Sequence, residues 1–253
     1  MINKKRGKRR IIVVVVSLVL VVGIFFLVNP IRAVIALSSM NTIETQRVTA
    51  DVYAVDNQFV NFYLVEAGDG YIAFDAGIDS DVTEEALKEL GIEPAAVTAV
   101  FLTHTDSDHV GSLSLFPSAD IYMAQSNLVF LGEKEGAGRS GSFVNMNRTT
   151  KTMDDKSTVL IAGTAVQCIF TPGHTNGSAC YVVNDTYLFT GDNLSLKDGL
   201  VVLFYAVFND NADEQDLSIR KLTMLDSFLD ITHLFTMHTG YTAEVSTAFM
   251  HWS

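Results

Sequence analysis

The residues that decide the fold form the short sequence THTDSDH, which occupies positions 103–109 and follows the apolar run Val97–Leu102. Four of its side chains can bind a metal ion: His104, Asp106, Asp108 and His109. A regular strand directs alternate residues to opposite faces, so this density predicts a turn that leads into a helix. Imidazole and carboxylate groups together are ligands of zinc, iron and manganese. We therefore predict a metal site directly after this strand.

Three other short segments each place one such side chain after a predicted strand: TPGHTNGS with His174, TGD with Asp192, and MHTG with His238. Ligand sites in α/β sheets are built at the ends of strands. We therefore expect all four segments to meet at one edge of the fold.

Strand and helix patterns alternate along the chain, which predicts α/β layers with mixed sheets. Strands are predicted at Val52–Val55, Phe59–Glu66, Tyr71–Asp75, Val97–Leu102, Ile121–Met123, Thr158–Ile161, Ala165–Phe170, Ala179–Val183, Tyr187–Phe189 and His233–Met237. Helices are predicted at Asp79–Leu90, Val110–Phe116 and Asp213–Leu229. The polar segment Gly132–Lys156 is predicted as a long loop or lid. The apolar segment Leu200–Phe208 is predicted to pack in the core, with pocket lining or membrane docking as alternatives.

In this order the segments resemble the metallo-β-lactamase-fold hydrolase superfamily, and among its members a glyoxalase II-like hydrolase. The resemblance covers roughly residues 50–241, and residues 56–77 resemble the family's first hairpin. It implies an α/β fold, a four-layer αβ/βα sandwich with a two-metal site at its edge.

The resemblance also implies a role for each residue. The first metal would be held by His104, Asp106 and His174, the second by Asp108, His109 and His238, with Asp192 bridging both. A hydroxide between the metals would be the nucleophile, and a second cation would stabilise the leaving oxygen. Asp108 is the predicted catalytic residue, because its carboxylate can orient the hydroxide and relay a proton.

One position departs from the family pattern His-x-His-x-Asp-His, since this chain reads HTDSDH with Asp106 at the second histidine. A carboxylate still ligates, but it is a harder ligand, and in relatives resembling the flavodiiron proteins an acid here accompanies iron. The expected cofactor is two divalent metal ions, with zinc favoured. Iron, mixed occupancy or a single occupied position remain open. Asp192 stands where zinc β-lactamases carry a metal-binding cysteine, which disfavours β-lactam hydrolysis.

Singly, these residues also fit structural roles. Asp108 suits the N-cap of a helix and Asp192 suits an Asx-turn, whereas their joint occurrence in family order favours a metal site. His233 and His251 match no motif and are predicted to be structural. Cys168 and Cys180 are predicted to be separate core residues, with a disulfide as the alternative.

The N-terminus predicts a membrane anchor. Residues 1–10 contain six bases and no acid, and residues 11–28 are 18 residues without a charge. This pattern predicts a single-pass helix with a cytoplasmic basic stub and an extracytoplasmic domain. A cleaved signal peptide is the alternative. Residues 29–49 are predicted to form a linker, and residues 50–253 one hydrolase domain.

Charge excludes one class of function. The 253-residue chain has a net charge of −12, but beyond the basic stub eleven bases stand against 29 acids. That domain lacks the basic footprint of a nucleic-acid binder.

The sequence therefore predicts a membrane-anchored metal-dependent hydrolase that uses metal-bound hydroxide on an ester, thioester, lactone or phosphoester. Its expected partners are the membrane, through the N-terminal helix, and a small-molecule or envelope-associated substrate, with no nucleic acid. The alternatives are a non-haem iron redox enzyme of the same fold, a β-lactam hydrolase, or a binding module with a degraded site. The sequence does not indicate an oligomeric state.

Overall fold

The computed structural model describes residues 30–127, 150–226 and 229–252. The chain divides into two compact units, Met1–Ser39 and Met40–Ser253. In the first unit, residues 30–38 form helix α1. No helix within the described ranges is both long and apolar enough to cross a membrane. The predicted anchor, residues 11–28, lies outside those ranges.

The second unit contains two large sheets. The first has seven strands in sequential order: β1 Gln46–Arg47, β2 Val52–Asn57, β3 Val60–Ala67, β4 Gly70–Phe74, β5 Val97–Leu102, β6 Asp120–Ala124 and β7 Thr150–Met153. Its first four strands are antiparallel, and β4 to β7 are parallel. The sheet thus begins at Gln46, inside the segment that the sequence assigned to the linker.

The second sheet has six strands in the order β15-β14-β11-β10-β9-β8. These are β8 Thr158–Ile161, β9 Thr164–Phe170, β10 Ala179–Val183, β11 Tyr187–Phe189, β14 His233–Phe235 and β15 Tyr241–Thr242. A separate hairpin joins β12 Leu194–Lys197 to β13 Leu200–Leu203. The only parallel pair in the six-stranded sheet, as far as it is described, is β11 with β14.

Four helices of the second unit are α2 Ser80–Leu90, α3 Ser107–Val110, α4 Ala212–Asp226 and α5 Val245–Ala248. Short 3₁₀ turns occur at Pro94–Ala96, Leu113–Leu115 and Ala206–Phe208, and residues 125–127 are helical. Helix α2 begins where the Asp79 carboxylate accepts hydrogen bonds from the main chain of Asp81 and Val82. It ends at Gly91, which adopts the left-handed conformation that glycine tolerates.

Three apolar clusters hold these layers together. The central cluster lies between the sheets and stacks Phe74 of the first on Phe189 of the second, with ring centroids 4.0 Å apart. The second covers the outer face of the first sheet with α2. The third covers the outer face of the second sheet with α4. Helix, sheet, sheet and helix form the predicted four-layer α/β sandwich.

The single helix predicted over Val110–Phe116 was wrong. Helix α3 stops at Val110 because the chain then runs against another loop: Gly111 donates to the Gly77 carbonyl, and a Cβ at Gly111 would lie 2.3 Å from the Ile78 oxygen. A 3₁₀ turn follows at Leu113–Leu115.

Two other predictions need correction. Of the lid predicted over Gly132–Lys156, the part up to residue 149 lies outside the described ranges. The remaining part is not a loop throughout, because it contains β7, which pairs with β6. Strand β12 at Leu194–Lys197 was missed because its pattern is short and partly polar.

The cysteines are free, as the sequence favoured. Cys168 lies opposite Tyr181 in the β9–β10 register, so Cys180 points to the other face of the sheet. Accordingly, Cys168 belongs to the central cluster and Cys180 to the outer one.

Candidate metal centre

The four predicted segments meet at one edge of the sandwich. The turn after β5 carries His104, Asp106, Asp108 and His109, and the loops after β9, β11 and β14 carry His174, Asp192 and His238. All seven side chains lie together in one cluster. They form three overlapping sets able to hold a metal: His104 with Asp106 and His174; Asp108 with His109 and His238; and His104 with His109 and Asp192.

Asp192 lies at the centre of this cluster, with one carboxylate oxygen toward each half. Its Oδ1 is 3.4 Å from Nε2 of His109 and 3.3 Å from Nε2 of His238. Its Oδ2 is 3.5 Å from Nε2 of His174 and 4.0 Å from Nε2 of His104. One carboxylate therefore faces two pairs of histidines.

Each pair of histidines also has its own aspartate. Asp106 Oδ2 lies 3.4 Å from Nε2 of His174 and 3.7 Å from Nε2 of His104. Asp108 Oδ2 lies 3.5 Å from Nε2 of His238 and 3.6 Å from Nε2 of His109. The cluster thus consists of two similar halves, each with two imidazole nitrogens and two carboxylate oxygens.

In each of the four histidines of the cluster, the second ring nitrogen, Nδ1, contacts another group of the protein. His109 Nδ1 lies 2.8 Å from Asp75 Oδ2, and His238 Nδ1 donates to the Phe59 carbonyl at 2.7 Å. The remaining Nδ1 contacts pair His104 with the Thr103 hydroxyl and His174 with the Asn209 carboxamide oxygen. Such contacts orient the rings and direct Nε2 toward a common ligand.

The side chains fit a metal. Three buried atoms of the cluster, Nε2 of His109, Nε2 of His238 and Oδ1 of Asp192, make no hydrogen bond within the described part of the chain. The Nε2 atoms of His104 and His174 face each other at 3.2 Å. Zinc–nitrogen bonds of about 2.0–2.1 Å in a tetrahedron separate neighbouring ligand atoms by roughly 3.3–3.4 Å. The cluster therefore has both the chemistry and the spacing of a divalent metal site.

Charge within the cluster also suits a cation. Burial lowers the pKa of His104 well below its usual value. Burial would raise the pKa of Asp192, but His238 and His109 outweigh it and hold that pKa well below the usual range. For His109 the effect of burial is the opposite, since it would lower the pKa. The neighbouring carboxylates of Asp192, Asp108 and Asp75 outweigh burial and raise this pKa well above its usual value. The cluster thus keeps the Asp192 carboxylate ionised.

Two members of the cluster are open to solvent. The side chains of Asp106 and Asp108 are 20% and 18% exposed, whereas Asp192 is 5% exposed and the histidines are at most 2% exposed. Asp106 occupies the N-cap of α3 but its side chain caps no main-chain amide, and Asp108 lies inside the helix. The cluster is therefore open to solvent on the side of these two carboxylates.

The sequence missed several residues around the cluster. Asp75 closes the first hairpin in the left-handed conformation (φ 64°), and Asn209 precedes α4. Phe204, in the apolar segment predicted to be simple core, places its ring 5.1 Å from that of His174 and 5.4 Å from that of His238. Phe204 is buried as predicted, and it also packs against two histidines of the cluster. Neither His233 nor His251 belongs to the described cluster.

The fold is an αβ/βα sandwich, and a cluster of histidines and aspartates lies at its edge. Together they define the class of metal-binding proteins with a metallo-hydrolase fold. Residues 55–228 match the family model of the metallo-beta-lactamase superfamily, and the chain belongs to that superfamily. The sequence-based recognition of the family and its fold is confirmed.

Two curated relatives are similar in sequence. The chain is 31% identical over 126 residues to the probable polyketide biosynthesis zinc-dependent hydrolase BaeB of Bacillus velezensis, covering 49% of each. It is 35% identical over 100 residues to the probable polyketide biosynthesis zinc-dependent hydrolase PksB of Bacillus subtilis, covering 40% of each. The matches thus span about half or less of the relatives' length. Together with the family, these names support a metal-dependent hydrolase.

The fold is also similar to that of a metallo-beta-lactamase family protein from Thermus thermophilus. The TM-score is 0.62 at 19% identity, and the match covers 81% of this chain and 79% of the other.

Proposed function

We propose that this chain is a hydrolase with two divalent metal ions, zinc being favoured. The first ion is assigned to His104, Asp106 and His174, and the second to Asp108, His109 and His238. Asp192 would be shared by the two sets. The observation that carries this proposal is the placement of Asp192, whose two oxygens each face a different pair of histidines.

Metal ions bound there would supply two effects, a lower pKa for a coordinated water and stabilisation of negative charge on the scissile group. The chain's own residues supply the rest. Asp108 is assigned as the catalytic residue because its carboxylate is reachable from solvent and lies beside His109 and His238. There it can orient an attacking water, and its other oxygen, Oδ1, can accept the proton while Oδ2 faces the two histidines.

The proposed substrate is an ester, thioester, lactone or phosphoester. Phe59 stacks on the ring of His238 with centroids 6.0 Å apart, and Phe204 packs against His174 and His238. Phe204 is buried behind the two histidines, whereas the half-buried Phe59 offers apolar surface beside the cluster, which favours an acyl substrate over a highly charged one. The zinc-dependent hydrolases among the relatives support the reaction type.

A second candidate is a non-haem iron redox enzyme. Asp106 gives the first half of the cluster the same two-imidazole, two-carboxylate composition as the second half. Carboxylate-rich sets with two histidines suit iron and manganese as well as zinc. Stoichiometric iron in protein purified without added metal would favour this candidate over the zinc hydrolase.

The proposed location is the cell membrane, with a cytoplasmic N-terminus and an extracytoplasmic hydrolase domain. Six bases followed by 18 uncharged residues support it. The membrane fraction should contain the full-length chain with its original N-terminus. A mature N-terminus near Leu37 would instead establish a cleaved signal peptide.

Metal analysis of the full chain, combined with a panel of esters, thioesters, lactones, phosphodiesters and a β-lactam, tests the function. We expect about two metal equivalents and hydrolysis of at least one class. His174→Ala should lower the metal content and abolish turnover. His251→Ala is the matched control, because that histidine is exposed and outside the cluster, and it should change neither. Unchanged turnover in the His174 variant would refute the assigned site.

A further inference from the structure

Behind the cluster, the half-buried carboxamide of Asn209 and the buried carboxamide of Gln215 connect the loop of His174 to the loop of Asp192. Asn209 lies just before α4 and Gln215 lies in its first turns, where it is fully buried. The Asn209 carboxamide meets His174, and the Gln215 carboxamide meets the main chain of Asp192. No residue of this pair is part of the metal-binding sets described above.

Hydrogen bonds fix the orientation of both carboxamides. The main-chain oxygens of Phe204 and Asp192 can only accept. Nδ2 of Asn209 therefore faces Phe204 O at 3.0 Å, and Nε2 of Gln215 faces Asp192 O at 3.1 Å. The two carboxamides then complete each other, since Asn209 Nδ2 donates to Gln215 Oε1 at 2.8 Å and Gln215 Nε2 donates to Asn209 Oδ1 at 3.2 Å.

This orientation has a consequence for His174. With Nδ2 of Asn209 committed to Phe204 and Gln215, its Oδ1 is the atom that lies 3.1 Å from Nδ1 of His174. A carboxamide oxygen accepts and does not donate, so Nδ1 of His174 carries the proton. Nε2 then presents its lone pair toward Asp106 and Asp192, as a metal ligand must.

We propose that Asn209 and Gln215 form an amide bridge that fixes the Nδ1–H tautomer of His174 and ties this histidine to Asp192, so that both are positioned together for the first metal ion. Asn209 and Gln215 are positioning residues, because neither of them touches the proposed metal or substrate. The inference rests on the proposed metal site and adds to it what sets the protonation of one ligand.

The surrounding contacts hold the bridge against the loop that carries His174. Asp210 and Asn211 donate main-chain hydrogen bonds to the carbonyls of His174 and Gly173, at 3.0 and 2.9 Å. The Ser218 hydroxyl donates to the Pro172 carbonyl at 2.7 Å. The loop is therefore docked by several bonds, of which only the carboxamide pair reaches a ring nitrogen.

The first measurement reads the tautomer directly by nitrogen-15 NMR of the imidazoles in the metal-free full chain, at a pH of about 9, above the usual titration of histidine. We expect His174 to be Nδ1–H in the unchanged protein. Asn209→Leu and Gln215→Glu should shift it toward Nε2–H. The first removes the acceptor. The second replaces the amide that donates to Asn209 Oδ1 with a carboxylate oxygen, which favours a flipped Asn209 whose Nδ2 faces His174. Ser218→Ala is the control and should retain Nδ1–H.

The second measurement is metal affinity, by competition with a chromophoric chelator. In Asn209→Leu one metal equivalent should bind about 10- to 100-fold more weakly while the other is nearly unchanged. Nε2–H in the unchanged protein, or a tautomer unaffected by both variants, would overturn the proposal. The tautomer measurement needs neither metal nor substrate, so it tests the bridge even in a chain without hydrolase activity. Far-UV circular dichroism establishes that each variant is folded, and Gln215→Glu alone suffices if Asn209→Leu is not.

Discussion

Nδ1 of His109 lies 2.8 Å from Oδ2 of Asp75, and neither side chain is exposed to solvent. Asp75 also accepts hydrogen bonds from the main-chain nitrogen and the hydroxyl of Thr103, at 2.7 and 2.8 Å. One buried carboxylate thus receives three donors and connects the end of the first hairpin to the turn after β5. Burial raises the pKa of Asp75, and its contacts with His109 and Thr103 oppose that rise.

Asp75→Asn should weaken both metal binding and folding. A carboxamide keeps the shape but offers one acceptor oxygen to three donors, so the ring of His109 loses its charged partner. We expect metal affinity to fall about 10- to 100-fold and the free energy of unfolding of the metal-free chain to fall by about 1–3 kcal/mol. Chelator competition and urea unfolding measure the two effects.

Asp51→Asn is the matched control for that variant. The Asp51 carboxylate accepts from the hydroxyls of Tyr187 and Thr49, away from the cluster. Its loss should lower stability and leave metal affinity unchanged. Equal metal affinities in the Asp75 variant and the unchanged protein would show that His109 needs no carboxylate behind it.

Asp192→Asn should remove more metal than the loss of a histidine from either half. The aspartate faces both pairs of histidines, whereas His174 and His238 each belong to one pair. We expect His174→Ala and His238→Ala to keep about one metal equivalent each and Asp192→Asn to keep less than one. Elemental mass spectrometry after gel filtration gives the stoichiometry. The exposed Asp213→Asn is the control, and two equivalents retained in Asp192→Asn would contradict the bridging role.

The sequence predicted the cluster better than its surroundings. The structure brings His104, His174, Asp192 and His238 together because each follows an apolar strand, and strand ends meet at one edge of an α/β fold. The partners behind them could not be found in this way. Asn209 contacts His174 across 35 positions of sequence, and nothing in the local pattern distinguishes it from a turn residue.

Strand register was the other feature that the sequence could not predict. Cys168 and Cys180 are equally distant in sequence from His174, which would place them opposite each other in a symmetric hairpin. The actual register pairs Cys168 with Tyr181. A shift of one position moves a side chain to the other face of a sheet, and loop geometry rather than composition sets that shift.

Neither cysteine should react in the folded protein. Burial raises the pKa of both thiols to about 12. At pH 8 only about one thiol in 10,000 is then ionised, and the thiolate is the reactive form. We expect iodoacetamide to modify neither Cys168 nor Cys180 until the chain is denatured, as measured by mass spectrometry. A disulfide-linked peptide containing both residues in a non-reducing digest would contradict the register.

Gly173→Ala should disturb the loop that carries His174. Gly173 has φ 134°, and a Cβ there would lie 2.3 Å from the main-chain nitrogen of Gln215 and 2.4 Å from its Cα. The start of α4 must then move away from the loop, because a main-chain contact cannot yield as a flexible side chain does. We expect the free energy of unfolding to fall by about 3 kcal/mol, together with a loss of metal at the first site.

Gly163→Ala separates this contact from backbone strain alone. Gly163 also has a positive φ, 90°, but no atom lies within 4 Å of the position of its Cβ. Its substitution should cost about 1 kcal/mol and leave metal binding intact. Urea unfolding and chelator competition on the two variants make the comparison. Equal losses of stability with unchanged metal binding in both would mean that close packing of Gly173 on α4 does not hold His174 in place.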